Sequence, residues 1–178
     1  LEMARIASYL ASVPEMEWVF AYQEEITEIY IEGDSDWAGD AVTRRSRGGG
    51  FEFLGNHLID GWTGQHQKVD LSSGEAEYVE LCNGGARGLF TKHLFAEMGM
   101  QLMLTIATDS SAAIGIGSRL GVGKVRHLAI KFLWLQEAVR SKELRLKKVD
   151  GATNRSDMQT KQLEPTRLHE LMSKLPIR

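Results

Sequence analysis

The hydrophobic periodicity of the chain changes near residue 70, and this change limits the folds that are open to it. Before residue 70, the alternation typical of strands predicts strands at residues 18–22, 28–32, 51–54 and 57–62. Glycines at positions 48–50 and the Gly55-Asn56 pair predict turns between them. The first part of the chain is therefore expected to form antiparallel strands linked by hairpins.

After residue 70 the pattern becomes that of helices alternating with buried strands. Ser72 or Ser73 is a candidate N-cap for a long helix, and an apolar stretch without strict alternation predicts a strand covered on both faces. In chain order we expect a helix, a strand, two helices and a last strand, at residues 71–98, 102–108, 110–118, 125–140 and 144–149. Antiparallel strands followed by crossovers predict an α/β fold with a mixed sheet and helices on its faces.

The composition indicates one domain with an uneven distribution of charge. The 178 residues carry a net charge of -3, and no apolar run has the roughly 20 residues that a membrane helix needs. Residues 119–161 nevertheless hold eleven Lys or Arg against four Asp or Glu, whereas residues 1–36 hold nine acids and one base. The basic segment could face phosphates or could form ordinary solvated surfaces. The single cysteine, Cys82, excludes an internal disulfide.

Two acidic residues stand at the carboxyl ends of predicted central strands. Asp34 ends the first of these strands, and Asp109 follows the apolar strand. If the two strands are neighbours, their carboxylates lie side by side, because adjacent strands are about 4.8 Å apart. Such oxygen ligands suit Mg²⁺ or Mn²⁺. Position alone leaves open the alternative that both acids cap turns.

Four segments in this order resemble one known family. They are DSDWAGD at residues 34–40, LSSGEAEYVEL at 71–81, ATDSSAA at 107–113 and NRSDMQTKQL at 154–163. Together they resemble the ribonuclease H domain of copia-type retrotransposon polyproteins. RIASYL at residues 5–10 is similar to the tail of the preceding reverse transcriptase. We therefore expect a reverse transcriptase-derived tail at 1–27, a ribonuclease H-like domain at 28–162 and a helical extension at 163–178.

The resemblance implies a fold, a reaction and a metal site. The fold is a five-stranded mixed sheet, three strands antiparallel and then two parallel, with helices on both faces. The reaction is hydrolysis of the RNA strand of an RNA–DNA hybrid with two Mg²⁺ or Mn²⁺ ions. The motifs assign the catalytic and metal-binding acids to Asp34, Glu77, Asp109 and Asp157. Glu75 competes with Glu77, and since residues two apart on a helix point in different directions, only one of them can face the ions.

The same resemblance implies partners for the chain. Candidate nucleic-acid contacts are Arg44, Arg45, Lys124, Arg126 and His127, although the two neighbouring arginines could equally lie on a solvated surface. His127 is also a candidate for a packing or helix-capping role. The expected partners are an RNA–DNA hybrid and the reverse transcriptase portion of the same polyprotein, without a membrane. The expected location is a cytoplasmic retrotransposon particle or the nucleus.

Two other functions stay open at this stage. One is a catalytically silent remnant that binds nucleic acid or supports a polymerase, and the other is a transposase or integrase on the same fold. Three glycines within the long predicted helix, Gly84, Gly85 and Gly88, each cost about 1 kcal/mol relative to Ala. They are consistent either with a decayed element or with a habit of one lineage.

Overall fold

The computed structural model describes residues 2–13, 15–121, 123 and 130–178. Its strands are β1 Glu28–Asp36, β2 Arg47–Leu54, β3 His57–Gln65, β4 Met103–Thr108 and β5 Leu144–Lys148. Its helices are α1 Glu2–Ser12, α2 Ser73–Glu97, α3 Ser111–Gly117, α4 Trp134–Arg140, α5 Asp157–Thr160 and α6 Pro165–Met172. Two 3₁₀ turns lie at Ile130–Phe132 and Gly151–Thr153.

The five strands form one mixed sheet in the order β3-β2-β1-β4-β5. β1 pairs antiparallel with β2, and β2 pairs antiparallel with β3. β1 also pairs parallel with β4, and β4 pairs parallel with β5. The predicted sheet of three antiparallel and then two parallel strands is therefore confirmed, with β1 at its centre.

Helices cover both faces of this sheet, as predicted. On one face, Ile31 and Ile106 pack with Tyr78 and Leu81 of α2 in the main core. On the other face, a smaller apolar cluster around Phe51 and Phe53 packs against α5 and the C-terminal residues, including Met158, Leu175 and Ile177. None of the helices in the described part of the chain is both long and apolar enough to cross a bilayer.

Three predictions about local structure were wrong or untested. Residues 18–22 do not form a strand, because Trp18 makes only an isolated bridge to Ile177, and Phe20 and Tyr22 are exposed. Residues 48–50 are not a turn but lie within β2, paired with both β1 and β3. Of the helix predicted at 125–140, residues 125–129 lie outside the described residues. The rest is a 3₁₀ turn followed by α4.

The glycines of α2 have a packing role. A Cβ atom on Gly88 would lie 2.5 Å from Leu104 Cδ1 and 2.7 Å from Ile31 Cδ1. Both of these side chains are fully buried, so neither can swing towards solvent. A Cβ on Gly84 or Gly85 would also be tight, at 3.0–3.1 Å from neighbouring side chains. Close approach of α2 to the sheet therefore accounts for these glycines without invoking decay of the element.

We predict that Gly88→Ala destabilises the protein by about 1–3 kcal/mol, because overpacking of the core outweighs the better helix propensity of Ala. Gly115→Ala in α3 is the matched control, since its Cβ would meet nothing within 4 Å. It should raise stability by about 0.5–1 kcal/mol. Urea unfolding of both variants measures the effect, and a Gly88→Ala protein as stable as the control would contradict this account of the packing.

A buried ion pair joins β1 to the segment that precedes α5. Arg155 Nε donates to Glu32 Oε2 at 2.8 Å, and Arg155 Nη2 donates to Glu32 Oε1 at 2.8 Å. The Arg155 backbone N–H also donates to Glu32 Oε2, at 3.1 Å. The guanidinium lies 3.8 Å over the ring of Phe53. These contacts hold the chain two residues before Asp157, so the pair sets where α5 begins relative to β1.

Removal of one partner should leave the other charge buried, so we expect Glu32→Gln and Arg155→Met each to cost about 2–4 kcal/mol. The double variant should cost clearly less than the sum of the two. The exposed pair Arg167–Glu170, at 3.0 Å, serves as the control. Its coupling energy should stay below about 1 kcal/mol. Thermal or urea unfolding of each cycle gives the coupling energies, and equal values for the two pairs would show that Glu32–Arg155 is not a structural anchor.

Candidate metal centre

The sheet places two carboxylates beside each other at the carboxyl ends of β1 and β4. The two strands are parallel neighbours, with Glu32 opposite Ala107. Asp34 lies two residues further along β1, and Asp109 directly follows the end of β4. Parallel pairing therefore brings both acids to the same edge of the sheet, as the motif positions predict.

Helix α2 brings a third carboxylate to this edge. One oxygen each of Asp34, Glu77 and Asp109 lies within 4.8 Å of the others. Asp34 is fully buried, and the other two acids are partly buried. We call these three residues the acidic cluster. Three carboxylates at this separation can share a cation, and oxygen-only ligands favour Mg²⁺ or Mn²⁺.

Glu75, the alternative to Glu77, takes part in capping the start of α2. Its Oε2 accepts a hydrogen bond from the Leu71 backbone N–H at 2.8 Å. Its own backbone N–H donates to Ser72 Oγ at 3.2 Å, which identifies Ser72 as the N-cap. This reciprocal arrangement resembles a capping box and stabilises the first turn of the helix. The structure thus places Glu77, and not Glu75, with the other two acids.

The acids of the cluster raise one another's proton affinity. Burial, together with the charges of Asp34 and Asp109, raises the pKa of Glu77 to about 8. Burial and the charge of Asp34 likewise raise the pKa of Asp109 above its usual range. In both cases the charged form is disfavoured because negative charge accumulates in a region with little water. A bound cation would reverse this effect.

The donor set of the cluster fits a divalent ion. Glu77 Oε2 is buried and has no hydrogen-bond partner among the described residues. A buried carboxylate oxygen without a donor is unfavourable unless a cation completes its surroundings. The Ser35 backbone N–H hydrogen-bonds to the Glu77 carboxylate and helps to hold it in place. The residues present therefore suit the ion that the family resemblance implies.

The fourth predicted acid, Asp157, is linked to the acidic cluster by a lysine that contacts both Asp157 and Asp34. Asp157 lies outside the group of oxygens that are within 4.8 Å of one another. Lys161 Nζ donates to Asp157 Oδ1 at 2.5 Å and to Asp34 Oδ1 at 3.2 Å. Thr160 Oγ1 also donates to Asp34 Oδ2. Burial opposes the charge of Lys161, but the hydrogen bond to Asp157 and the charge of Asp34 raise the pKa of the ammonium group.

Sequence reasoning missed the roles of Thr160 and Lys161. A signal was present, since Lys161 follows Asp157 by four residues and would share its face of a helix. The contact of Lys161 with Asp34, 127 residues away in sequence, had no such signal. It depends on the packing of α5 against β1.

The predicted nucleic-acid contacts are only partly within the described chain. Arg44 and Arg45 are exposed, and Arg45 lines a cavity of about 580 Å³ together with Arg47 and Lys161. This cavity therefore adjoins the acidic cluster through Lys161. Lys124, Arg126 and His127 lie outside the described residues, so their predicted contacts stay predictions.

A second buried group of charges lies where β3 leads into α2. His66 Nδ1 is 2.7 Å from Asp70 Oδ2, and His66 Nε2 is 3.6 Å from Glu80 Oε2. Burial favours the neutral imidazole, but the hydrogen bond to Asp70 and the nearby charge of Glu80 outweigh it and raise the pKa of His66 to about 9. Trp62 Nε1 donates to Glu80 Oε1 at 2.8 Å, which fixes the glutamate. This group links β3 to α2 and was not predicted.

Comparison with known sequences finds relatives among plant transposons. The chain is 29% identical over 179 residues to the retrovirus-related Pol polyprotein from transposon RE1 of Arabidopsis thaliana, which covers 98% of the chain. It is 31% identical over 146 residues to that from transposon TNT 1-94 of Nicotiana tabacum, covering 80% of the chain. The chain spans only 12% and 11% of these two polyproteins. No protein-family model matches it.

Solved structures with a similar fold are ribonuclease H domains. The N-terminal RNase H domain of rv2228c from Mycobacterium tuberculosis has a TM-score of 0.52 and 14% identity, covering 83% of this chain and 97% of that one. LC11-RNase H1 in complex with an RNA/DNA hybrid has a TM-score of 0.50 and 16% identity, covering 75% and 94%. These findings confirm the relationship and the fold that the motifs predicted. The chain is homologous to one segment of the retrovirus-related Pol polyproteins of transposons, and this segment has the ribonuclease H fold.

Proposed function

We propose that this segment is a metal-dependent ribonuclease H that hydrolyses the RNA strand of RNA–DNA hybrids during reverse transcription of a transposon. The observation that carries the proposal is the acidic cluster at the edge of a ribonuclease H fold, in which one buried oxygen of Glu77 has no hydrogen-bond partner among the described residues. The chain is homologous to segments of transposon Pol polyproteins, and this homology supports a role in copying a transposon.

The four acids have different parts in this proposal. Asp34, Glu77 and Asp109 would hold one divalent ion between them, and Asp34 and Asp157 would hold a second. The bound ions would supply activation of the attacking water and stabilisation of the leaving oxygen. The protein's own contribution is to keep the carboxylates at fixed positions before substrate arrives. Asp34 is held by Thr160 Oγ1 and by the pairing of β1 with two strands.

The hybrid would be held by basic side chains around the cluster. Arg45 and Arg47 line the cavity that adjoins Lys161, and both carry charges suited to phosphate groups. Selection of RNA over DNA would come from contacts with the 2′-hydroxyl groups in the wide minor groove of the hybrid. The solved relative in complex with an RNA/DNA hybrid supports this choice of substrate by likeness of fold.

The clustered carboxylates predict a pH-dependent stability in the presence of a chelator. Glu77, with a pKa of about 8 in the folded state, is ordinarily ionised above about pH 4.5 when unfolded. The raised pKa therefore costs no stability below about pH 4.5, and the cost grows between about pH 4.5 and 8 and levels off above about pH 8. Glu77→Gln should be more stable than the parent by roughly 2 kcal/mol at about pH 8.5, and similar to it at low pH.

Part of the pH dependence should survive this substitution because His66 acts in the same direction. Its pKa of about 9 means that its stabilising charge is present below about pH 6.5 and is lost as pH rises through about 9. Urea unfolding in chelator across this range measures both effects. The exposed Asp60→Asn is the control and should keep the parent's profile. An identical profile for Glu77→Gln and the parent would show that Glu77 is not strained by its neighbours.

The proposed function predicts that the parent cleaves the labelled RNA strand of a hybrid when Mg²⁺ is added, and that Asp109→Asn does not. Asn retains the size of the side chain but loses the charge that binds a cation, so we expect cleavage to fall by at least ~100-fold. Glu77→Gln should fall similarly. Binding of hybrid and the far-ultraviolet circular dichroism spectrum should be unchanged in both variants.

Glu75→Gln is the matched control, because it makes the same chemical change two residues away in the same helix. Its activity should stay close to that of the parent, since Glu75 caps α2 and does not face the cluster. Equal cleavage by the parent and Asp109→Asn would refute the proposed site. A parent that binds hybrid but does not cleave it would instead support a catalytically silent nucleic-acid-binding remnant.

A further inference from the structure

The ammonium group of Lys161 lies between two of the acids proposed to bind metal. It is 3.2 Å from Asp34 Oδ1 and 2.5 Å from Asp157 Oδ1. An ion held by these two carboxylates would lie close to this ammonium group. A divalent ion and the ammonium group cannot both be in contact with them, because like charges at such distances repel strongly.

We propose that Lys161 is an internal, exchangeable cation that neutralises Asp34 and Asp157 in the metal-free protein and competes with a divalent ion for their carboxylates. This inference rests on the proposed function, because it concerns the second of the two ions. It assigns to Lys161 a positioning role and not a direct part in the chemistry.

The surroundings of the Lys161 side chain allow its ammonium group to move away from Asp34 and Asp157. Its side chain is 38% exposed, whereas that of Asp34 is 1% exposed. Lys161 also lines the 580 Å³ cavity beside Arg45 and Gln162, which offers room for a long, flexible side chain. The aspartate is thus fixed while the lysine can move. Exchange of the ammonium group for an ion therefore needs rearrangement of only one side chain.

Lys161 also stabilises the nearby carboxylates when no metal ion is bound. Asp34 is buried, and the Thr160 hydroxyl donates to its Oδ2 atom, but this neutral donor does not cancel the charge of the carboxylate. Asp157 receives a further, weaker contribution from Arg167 Nη2, 3.9 Å from its Oδ2. Lys161 is thus the cation that Asp34 and Asp157 share among the described residues. Without it, the buried Asp34 would lose the ion pair with Lys161, and Asp157 would keep only the more distant Arg167.

The test measures Mn²⁺ binding by calorimetry and thermal melting in chelator, with the whole chain. Lys161→Met should bind Mn²⁺ roughly tenfold more tightly than the parent, because a competing charge a few Å away is gone. The same variant should melt several degrees lower in chelator, and saturating Mn²⁺ should abolish this difference. Lys161→Arg retains the positive charge and should bind Mn²⁺ about as weakly as the parent.

Lys174→Met is the matched control. Lys174 Nζ lies 3.2 Å from Glu170 Oε1, also in an i,i+4 pair, and its side chain is 36% exposed. This variant should leave Mn²⁺ affinity and melting in chelator unchanged. The control separates loss of any paired lysine from loss of the one beside Asp34.

The outcomes separate this inference from the proposed function. If the parent binds Mn²⁺ and Lys161→Met binds it no more tightly, the exchange is refuted while the metal site stands. Equally tight binding by Lys161→Met and Lys161→Arg would refute the role of charge. If neither the parent nor any variant binds Mn²⁺, the metal site of the proposed function is wrong, and the inference falls with it.

Discussion

The structure depends on apolar packing that holds three carboxylates closer together than their charges favour. Helix α2 lies against β1 and β4 so tightly that Gly88 has no room for a Cβ atom between Ile31 and Leu104. Since interiors are close-packed and resist deformation, the acids at this edge cannot separate to relieve their repulsion. The raised pKa of Glu77 is the chemical sign of this constraint. A bound cation would relieve this repulsion.

The second face of the sheet contributes through a much smaller element. α5 has four residues, too few for a helix to be stable alone. It is held by Glu32–Arg155 just before it and by the contacts of Thr160 and Lys161 with Asp34. The site thus joins both layers of the fold at one strand. Changes that loosen either layer should alter the relative positions of its acids.

Local signals in the sequence predicted most of the fold. The start of α2 at Ser72 or Ser73 and the strand β4 followed by Asp109 were predicted because caps and buried apolar runs are local features. The glycine run at 48–50 was misinterpreted as a turn, since glycine is common in turns. The reason for glycine at Gly48 is a contact with a residue distant in the sequence. A Cβ on Gly48 would collide with Glu80, which comes from α2. Residues 18–22 have the sequence pattern of a strand, but in the structure Trp18 makes only an isolated bridge to Ile177.

By itself, the sequence determined most of the order of elements, the relationship to transposon Pol polyproteins, and the candidate acids Asp34, Asp109 and Asp157, with Glu77 preferred to Glu75. These follow from periodicity and from short motifs in a fixed order. Only the tertiary structure decided that Glu77 and not Glu75 joins the cluster, and that Lys161 bridges Asp34 and Asp157. It also decided that one Glu77 oxygen has no hydrogen-bond partner within the described part of the chain. Burial and electrostatic coupling arise between groups brought together by packing, such as Asp34 and Lys161, which are 127 residues apart in the chain.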